Sequence, residues 1–90
     1  MERRHILAEG RVQGVGFRYF VRTKAIQYGL AGYVKNLDNG MVEMEVQGPT
    51  EKIEKLISEL KNGGNMFIHV ERLHIEQMEN KKESDFSIRY

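Results

Sequence analysis

The stretch Gly10-Arg11-Val12-Gln13-Gly14-Val15-Gly16-Phe17-Arg18 puts three glycines and two arginines where a strand pattern gives way to a helix pattern. Glycines there let the backbone curl and gather its N–H groups into a concavity, and at the positive end of a helix such a nest takes an anion. Arg18 sharpens the reading. A cation in the first helical turn opposes the macrodipole, and becomes favourable once an anion lies between its guanidinium and the N–H groups. A phosphate accepts from both, and the planar guanidinium fork meets two oxygens together. On spacing alone, a plain tight turn with a solvated Arg18 accounts for the residues equally well. The string is not a Walker A loop, because no Gly-Lys-Ser/Thr follows. Nor is it the dinucleotide fingerprint, because Tyr19 stands where a third glycine belongs. Asn36 is a second polar candidate, although an asparagine before a turn more often bonds its own backbone.

The elements around these residues decide whether they meet. Residues 5 to 12 alternate in polarity and predict a half-buried strand. Phe17, Phe20, Val21, Ala25 and Tyr28 mark one face of a helix, with Gly29 at the place of a left-handed C-terminal cap. Leu30 to Leu37 reads as a strand, and Asp38-Asn39-Gly40 as a hairpin turn, since Asn-Gly tolerates positive φ. Val42, Met44 and Val46 then point inward, against Glu43, Glu45 and Gln47 outward. Gly48-Pro49-Thr50-Glu51 starts a second helix, with Pro49 expected at the first helical position and Glu51 reaching back to the cap. Ile53, Leu56, Ile57 and Leu60 form its apolar face, and Asn62-Gly63-Gly64 ends it. Between Asn65 and Met78 the apolar parity changes from Val70 to Leu73, so a fourth strand either begins near Val70 or carries a bulge. Lys81 to Asp85 is a polar connection, and Phe86, Ile88 and Tyr90 alternate in a short final strand.

The order is βαββαβ with one further strand, which predicts an α+β, ferredoxin-like sandwich: a mainly antiparallel sheet with two helices on one face. A right-handed first crossover makes the first two strands parallel. Their carboxyl ends, carrying the glycine loop and Asn36, then share one edge.

Ninety residues make one expected domain, residues 1–90, with a modest core and a shallow site of few groups. The net charge of +1 argues against non-specific nucleic-acid binding. Arg3, Arg4, Arg11, Arg18, Arg22 and Lys24 nevertheless crowd the first quarter and make a local anion-attracting surface if folding brings several of them together. With no cysteine, disulfides, thiolate metal sites and cysteine nucleophiles are excluded. No run is long and apolar enough for a membrane span, and the opening residues lack a signal-peptide core. The expectation is a cytoplasmic protein.

The full loop string, followed by Gly32-Tyr33-Val34-Lys35-Asn36 and Gly40-Met41-Val42-Glu43, resembles the acylphosphatase signature. The likeness extends to the closing Phe86-Ser87-Ile88-Arg89-Tyr90 and covers essentially the whole chain. One departure is Gly63-Gly64-Asn65, where the family often has Gly-Pro; it is expected to touch only a connecting loop. The resemblance implies metal-independent hydrolysis of acyl phosphates to a carboxylate and inorganic phosphate, with no cofactor and no phosphoenzyme. It assigns substrate phosphate binding to Arg18 and to the backbone N–H groups of Gln13, Gly14, Val15, Gly16 and Phe17. It assigns orientation of the attacking water to Asn36. The expected partner is a small-molecule acyl phosphate, with no nucleic acid and no membrane, and the expected state is a monomer.

Other residues read more plainly. His5, His69 and His74 lack metal-ligand spacing and are expected at polar faces or edges. Glu43, Glu45 and Glu51 read as structural, while Arg11 and Arg22 add positive field at most. Three rival functions share the topology, one of them a domain resembling acylphosphatase that works within a larger carbamoyl-transfer system. A non-catalytic phosphate-binding module keeps the Arg18 nest but lacks productive water positioning. An RNA-binding domain stacks bases on aromatics of its central strands, and the third strand here is acidic outward and has none.

Overall fold

A computed structural model describes residues Met1–Tyr90. Strand β1 runs Glu2–Arg11 and helix α1 Phe17–Gln27. Strands β2, Ala31–Asn36, and β3, Val42–Gly48, precede helix α2, Thr50–Asn62. Strands β4, His69–Met78, and β5, Phe86–Arg89, close the chain. The sheet order is β4-β1-β3-β2-β5. Both β1 and β2 pair antiparallel with β3, from Glu2↔Gly48 to Ala8↔Val42 and from Ala31↔Gln47 to Asn36↔Val42. They are therefore parallel to each other, as the crossover argument requires. The last strand, whose place the sequence left open, lies parallel to β2 with Gly32 opposite Phe86 and Lys35 opposite Arg89. The carboxyl ends of β1, β2 and β5 thus meet at one end of the sheet.

The core follows the two periodicities. Ile6, Ala8, Val34, Val42, Met44 and Val46 line the sheet's inner face. Phe17, Val21 and Ala25 of α1 and Ile53, Leu56, Ile57 and Leu60 of α2 cover it. Helix α1 ends in a Schellman arrangement: Leu30 N–H donates to Ala25 O (2.8 Å), Gly29 N–H donates to Ile26 O (3.1 Å), and Gly29 takes φ +68°.

Several expectations need correction. Pro49 is the N-cap of α2 rather than its first residue, and no side chain caps that end. In the β2–β3 turn only Gly40 has positive φ (+92°), with its N–H donating to Leu37 O, so the turn is not the doubly positive Asn-Gly type. Strand β4 begins at His69 and also carries an irregularity: Glu9 pairs with Arg72 but Gly10 with Val70, leaving Glu71 as the extra residue.

The larger correction concerns the sheet's second face. Glu45 and Gln47 do point away from the helices, but both are buried, and Arg3 between them is completely so. Arg3 donates to Glu45 Oε1 from Nε (2.9 Å) and Nη2 (2.7 Å) and to Gln47 Oε1 (3.1 Å), and it meets Glu83 as well. Lys81 reaches Glu45 Oε1 (3.0 Å) and exchanges backbone bonds with the Gln47 amide. The polar connection before β5 is therefore a lid over this face. Burial pushes Glu45 up, but bonds from Lys81, Arg3 and Tyr33 outweigh it and lower the carboxyl to about 2. Burial, then bonds to Glu43 and Glu45, raises Tyr33 well above the usual phenol range.

Candidate active site

Three strand ends supply the walls of a cleft of about 220 Å³, lined by Val12, Gly14, Gly16, Phe17, Arg18, Tyr19, Asn36, Ile88 and Tyr90. From β1 comes the glycine loop. Gly14 (φ +72°) and Gly16 (φ +83°) hold the left-handed conformations that curl it, and a Cβ at Gly14 would meet nothing. Gly16 is the N-cap of α1, with no side-chain cap and no acid in the first turn. The N–H groups of Gln13 through Tyr19 find no backbone acceptor, the first internal bond of this end being Phe20 N–H to Gly16 O (3.0 Å). A row of free donors at a helix N-terminus is the anion-accepting arrangement the glycines allowed.

Arg18 stands in the first turn of α1 and is half-buried. It has no carboxylate partner among the ion pairs of the chain. What holds it comes from β5: Nη1 donates to Arg89 O (3.2 Å), and the guanidinium lies 4.8 Å from the Tyr90 ring centre. The remaining guanidinium N–H groups are free of protein acceptors. The expected basic surface of the first quarter shrinks accordingly. Arg3 is buried with Glu45 and Glu83, Arg4 pairs with Glu2 and Glu54, and Lys24 with Glu59. Arg18 keeps its charge for the cleft, as Arg11 and Arg22 keep theirs for solvent.

From β2 comes Asn36, whose Oδ1 is buried and makes no hydrogen bond. Such an orphan costs about 1–3 kcal/mol, and orphans of this kind collect where a structure expects a visitor. The Nδ2 end of the same amide has no protein partner either and is the end left for a water in the cleft.

The loop residues expected to act together have distinct positions. Gly14, Gly16 and Phe17 line the cleft, with Phe17 anchored in the core. Gln13 and Val15 flank it. Sequence reasoning missed what their other groups do: Gln13 Nε2 donates to Leu37 O (2.7 Å) and Met41 O (2.8 Å), tying the loop to the turn that follows Asn36. It also missed the contribution of β5, because a backbone carbonyl such as that of Arg89 leaves no mark in a sequence. Two of the histidines hydrogen-bond to carboxylates, His5 Nε2 with Glu43 Oε2 (2.9 Å) and His74 Nε2 with Glu9 Oε2. His69 opens β4 opposite Arg11. The largest pKa displacements belong to Glu45 and Tyr33 on the far face of the sheet, where they follow from burial and the bonds of the ion network rather than from the cleft.

By fold and cleft this is a ferredoxin-like α+β protein that concentrates unused hydrogen-bond donors at one end of its sheet. A family model for acylphosphatase matches residues 4–88. The chain is 47% identical to the acylphosphatase of Geobacillus thermodenitrificans (strain NG80-2) over 91 residues, which span 100% of this chain and 96% of that protein. The crystal structure of acylphosphatase from Bacillus subtilis superposes with a TM-score of 0.94 at 40% identity and full coverage of both chains (100% and 100%). Full-length HypF, in a phosphate- and nucleotide-bound crystal form, contains a similar region: TM-score 0.92, 36% identity, 99% of this chain but 12% of that one. The chain belongs to the acylphosphatase family.

Proposed function

We propose that the protein hydrolyses acyl phosphates to a carboxylate and inorganic phosphate without a metal. Arg18 and the N–H groups of Gln13, Gly14, Val15, Gly16 and Phe17 bind the phosphate oxygens. The Asn36 amide holds a water on the side opposite the acyl group. The water oxygen attacks phosphorus, the bond from phosphorus to the acyl oxygen breaks, and the carboxylate leaves with the electron pair. The water's proton passes to a phosphate oxygen, because no side-chain base lines the cleft. The leaving carboxylate is stable enough to need little acid assistance, so positioning and charge stabilisation carry the rate. A neutral amide suits the water site, since it does not repel the dianion as a carboxylate would.

The observation that carries this reading is a half-buried guanidinium without a carboxylate, sharing one small cleft with free loop N–H groups and an unpartnered asparagine amide. No helix is long and apolar enough to cross a membrane, and the reading is completed by a monomer acting on a small molecule in the cytoplasm.

The test is hydrolysis of acetyl phosphate and benzoyl phosphate in excess chelator by the wild type, Arg18→Ala and Asn36→Ala. Turnover is expected to persist in chelator. Each variant should lose about 10²–10³-fold by analogy with oxyanion donors, with the charged Arg18 losing more. Folded variants with wild-type rates would contradict the site. Phosphate binding without turnover by the wild type would decide for a binding module.

A further inference from the structure

The segment between α2 and β4 departs from the family's common Gly-Pro and reads in sequence as a connection, yet it touches the middle of the glycine loop. Asn65 Nδ2 donates to Val15 O at 3.2 Å. The other end of the same amide is committed as well: Asn65 Oδ1 accepts from Phe67 N–H (2.7 Å) and Ile68 N–H (3.1 Å), the pattern of an Asx turn. Ile68 is buried in the core, and Gly64 lies so close to the Phe20 ring of α1 that a Cβ there would stand 2.5 Å from it. The turn is therefore fixed at the core, against α1 and at the loop. Asn65 is the piece that joins the three.

The Val15 carbonyl and the Gly16 N–H belong to one peptide plane, and no peptide bond in the chain is cis. In a planar trans unit the two groups point in opposite directions. Holding the carbonyl toward Asn65 therefore aims the Gly16 N–H away from the α2–β4 segment. Gly16 lines the cleft at a φ of +83° and, being glycine, has no side chain to hold its peptide in place. Nothing else in the chain bonds the Val15 carbonyl.

We propose that Asn65 is a positioning residue: its amide latches the Val15–Gly16 peptide so that the Gly16 N–H is ready for the substrate phosphate before it arrives. The proposal rests on the phosphate-binding reading of the cleft. Without the latch the peptide turns freely and must be ordered at each binding event, so the loss falls on binding. Losing one neutral hydrogen bond of ordinary net strength corresponds to about two- to tenfold in affinity.

Two variants separate the latch from the turn. Asn65→Asp keeps an acceptor for Phe67 and Ile68 but has no donor for Val15 O. Asn65→Ser keeps a weaker turn, is neutral, and is too short to reach the carbonyl. Inorganic phosphate is the probe, by calorimetry and as a competitive inhibitor, alongside kcat and KM for benzoyl phosphate, thermal melting and exchange of the Gly16 amide proton. Both variants are expected to weaken phosphate binding and raise KM together, with kcat within about twofold of wild type, as removal of uniform binding requires. Gly16 amide exchange should speed up. Phosphate affinity and KM unchanged in both variants would overturn the latch, and so would a loss confined to kcat. A wild type that binds no phosphate overturns the cleft reading itself, whatever Asn65 does.

Discussion

Replacing Asn36 by leucine should make the protein more stable and nearly inactive at once. Leucine matches asparagine closely in shape, so the walls of the cleft stay in place. The substitution deletes a buried Oδ1 that has no partner, relieving about 1–3 kcal/mol of desolvation cost. It also replaces a residue disfavoured in strands at the last position of β2. For a domain of this size 1 kcal/mol moves the melting temperature by roughly 4–8 °C, so a rise of about 4 °C or more is expected. Under the proposed mechanism the same change removes the group that orients water, which should lower kcat by about 10²–10³. The same mechanism leaves phosphate to Arg18 and the loop, so inhibition by inorganic phosphate should stay within about threefold of wild type, a change worth under about 1 kcal/mol. The assay is benzoyl phosphate hydrolysis with phosphate as inhibitor, paired with calorimetric melting. Three results refute the reasoning. A kcat loss under tenfold removes Asn36 from catalysis. A parallel loss of phosphate affinity makes it part of the cradle. A fall in stability means the side chain makes native bonds that the orphaned oxygen argues against.

Two further tests probe the frame. Gly32 has φ +136°, and a Cβ there would stand 1.8 Å from Glu45 O in the neighbouring strand. Gly32→Ala should therefore cost more than about 4 kcal/mol in urea unfolding. Gly14→Ala meets no atom within 4 Å and should cost only the left-handed strain of about 1–2 kcal/mol. Equal costs would show that backbone strain, not strand contact, decides both. The ion network sets acid stability. Glu45 is lowered from 4.5 to about 2, so its contribution is complete above pH 4.5 and is lost as pH falls through about 2. The shift corresponds to about 3 kcal/mol, which Glu45→Gln should remove from the pH dependence of unfolding. Arg3→Met leaves that carboxylate buried with Lys81 as its one cation and Tyr33 as its other donor, and should cost about 3–5 kcal/mol at neutral pH. An unchanged acid limb in Glu45→Gln counts against the assignment.

The sequence was most legible where one physical rule acted alone. The apolar stripe Ile53, Leu56, Ile57 and Leu60 could only be a helix face, and Val42, Met44 and Val46 only the inner face of a strand. That Arg18 and Asn36 share a cleft followed from topology, since strands flanking a common antiparallel neighbour are parallel and end together. Alternation was silent on coverage. It placed Glu45 and Gln47 on the second face but could not tell that Lys81 and Glu83 close over it, because a lid made of charged residues looks like a solvated connection. The Arg3 mistake has the same origin: a residue type that belongs in water was read as surface, and the carboxylates that pair with it lie 42 and more residues away. The position of β5 was hidden for a different reason. Four residues carry too little pattern to name a partner strand, yet their end supplies the Arg89 carbonyl and the Tyr90 ring that hold Arg18.

A loop with glycines at three positions carries a cost, since glycine loses more backbone freedom on ordering than any other residue. A catalytic arrangement tolerates only about half an ångström of error. The chain meets both demands by tying the region down from three separate elements. Gln13 binds the carbonyls on either side of the β2–β3 turn, Asn65 binds Val15 from the α2–β4 segment, and the Arg89 carbonyl of β5 accepts from Arg18. The first tie matters most for the proposed chemistry. Leu37 follows Asn36 directly, so whatever shifts the glycine loop also shifts the end of β2. Under the proposed mechanism, phosphate cradle and water holder are then one mechanical unit, joined through Gln13 by the fold itself.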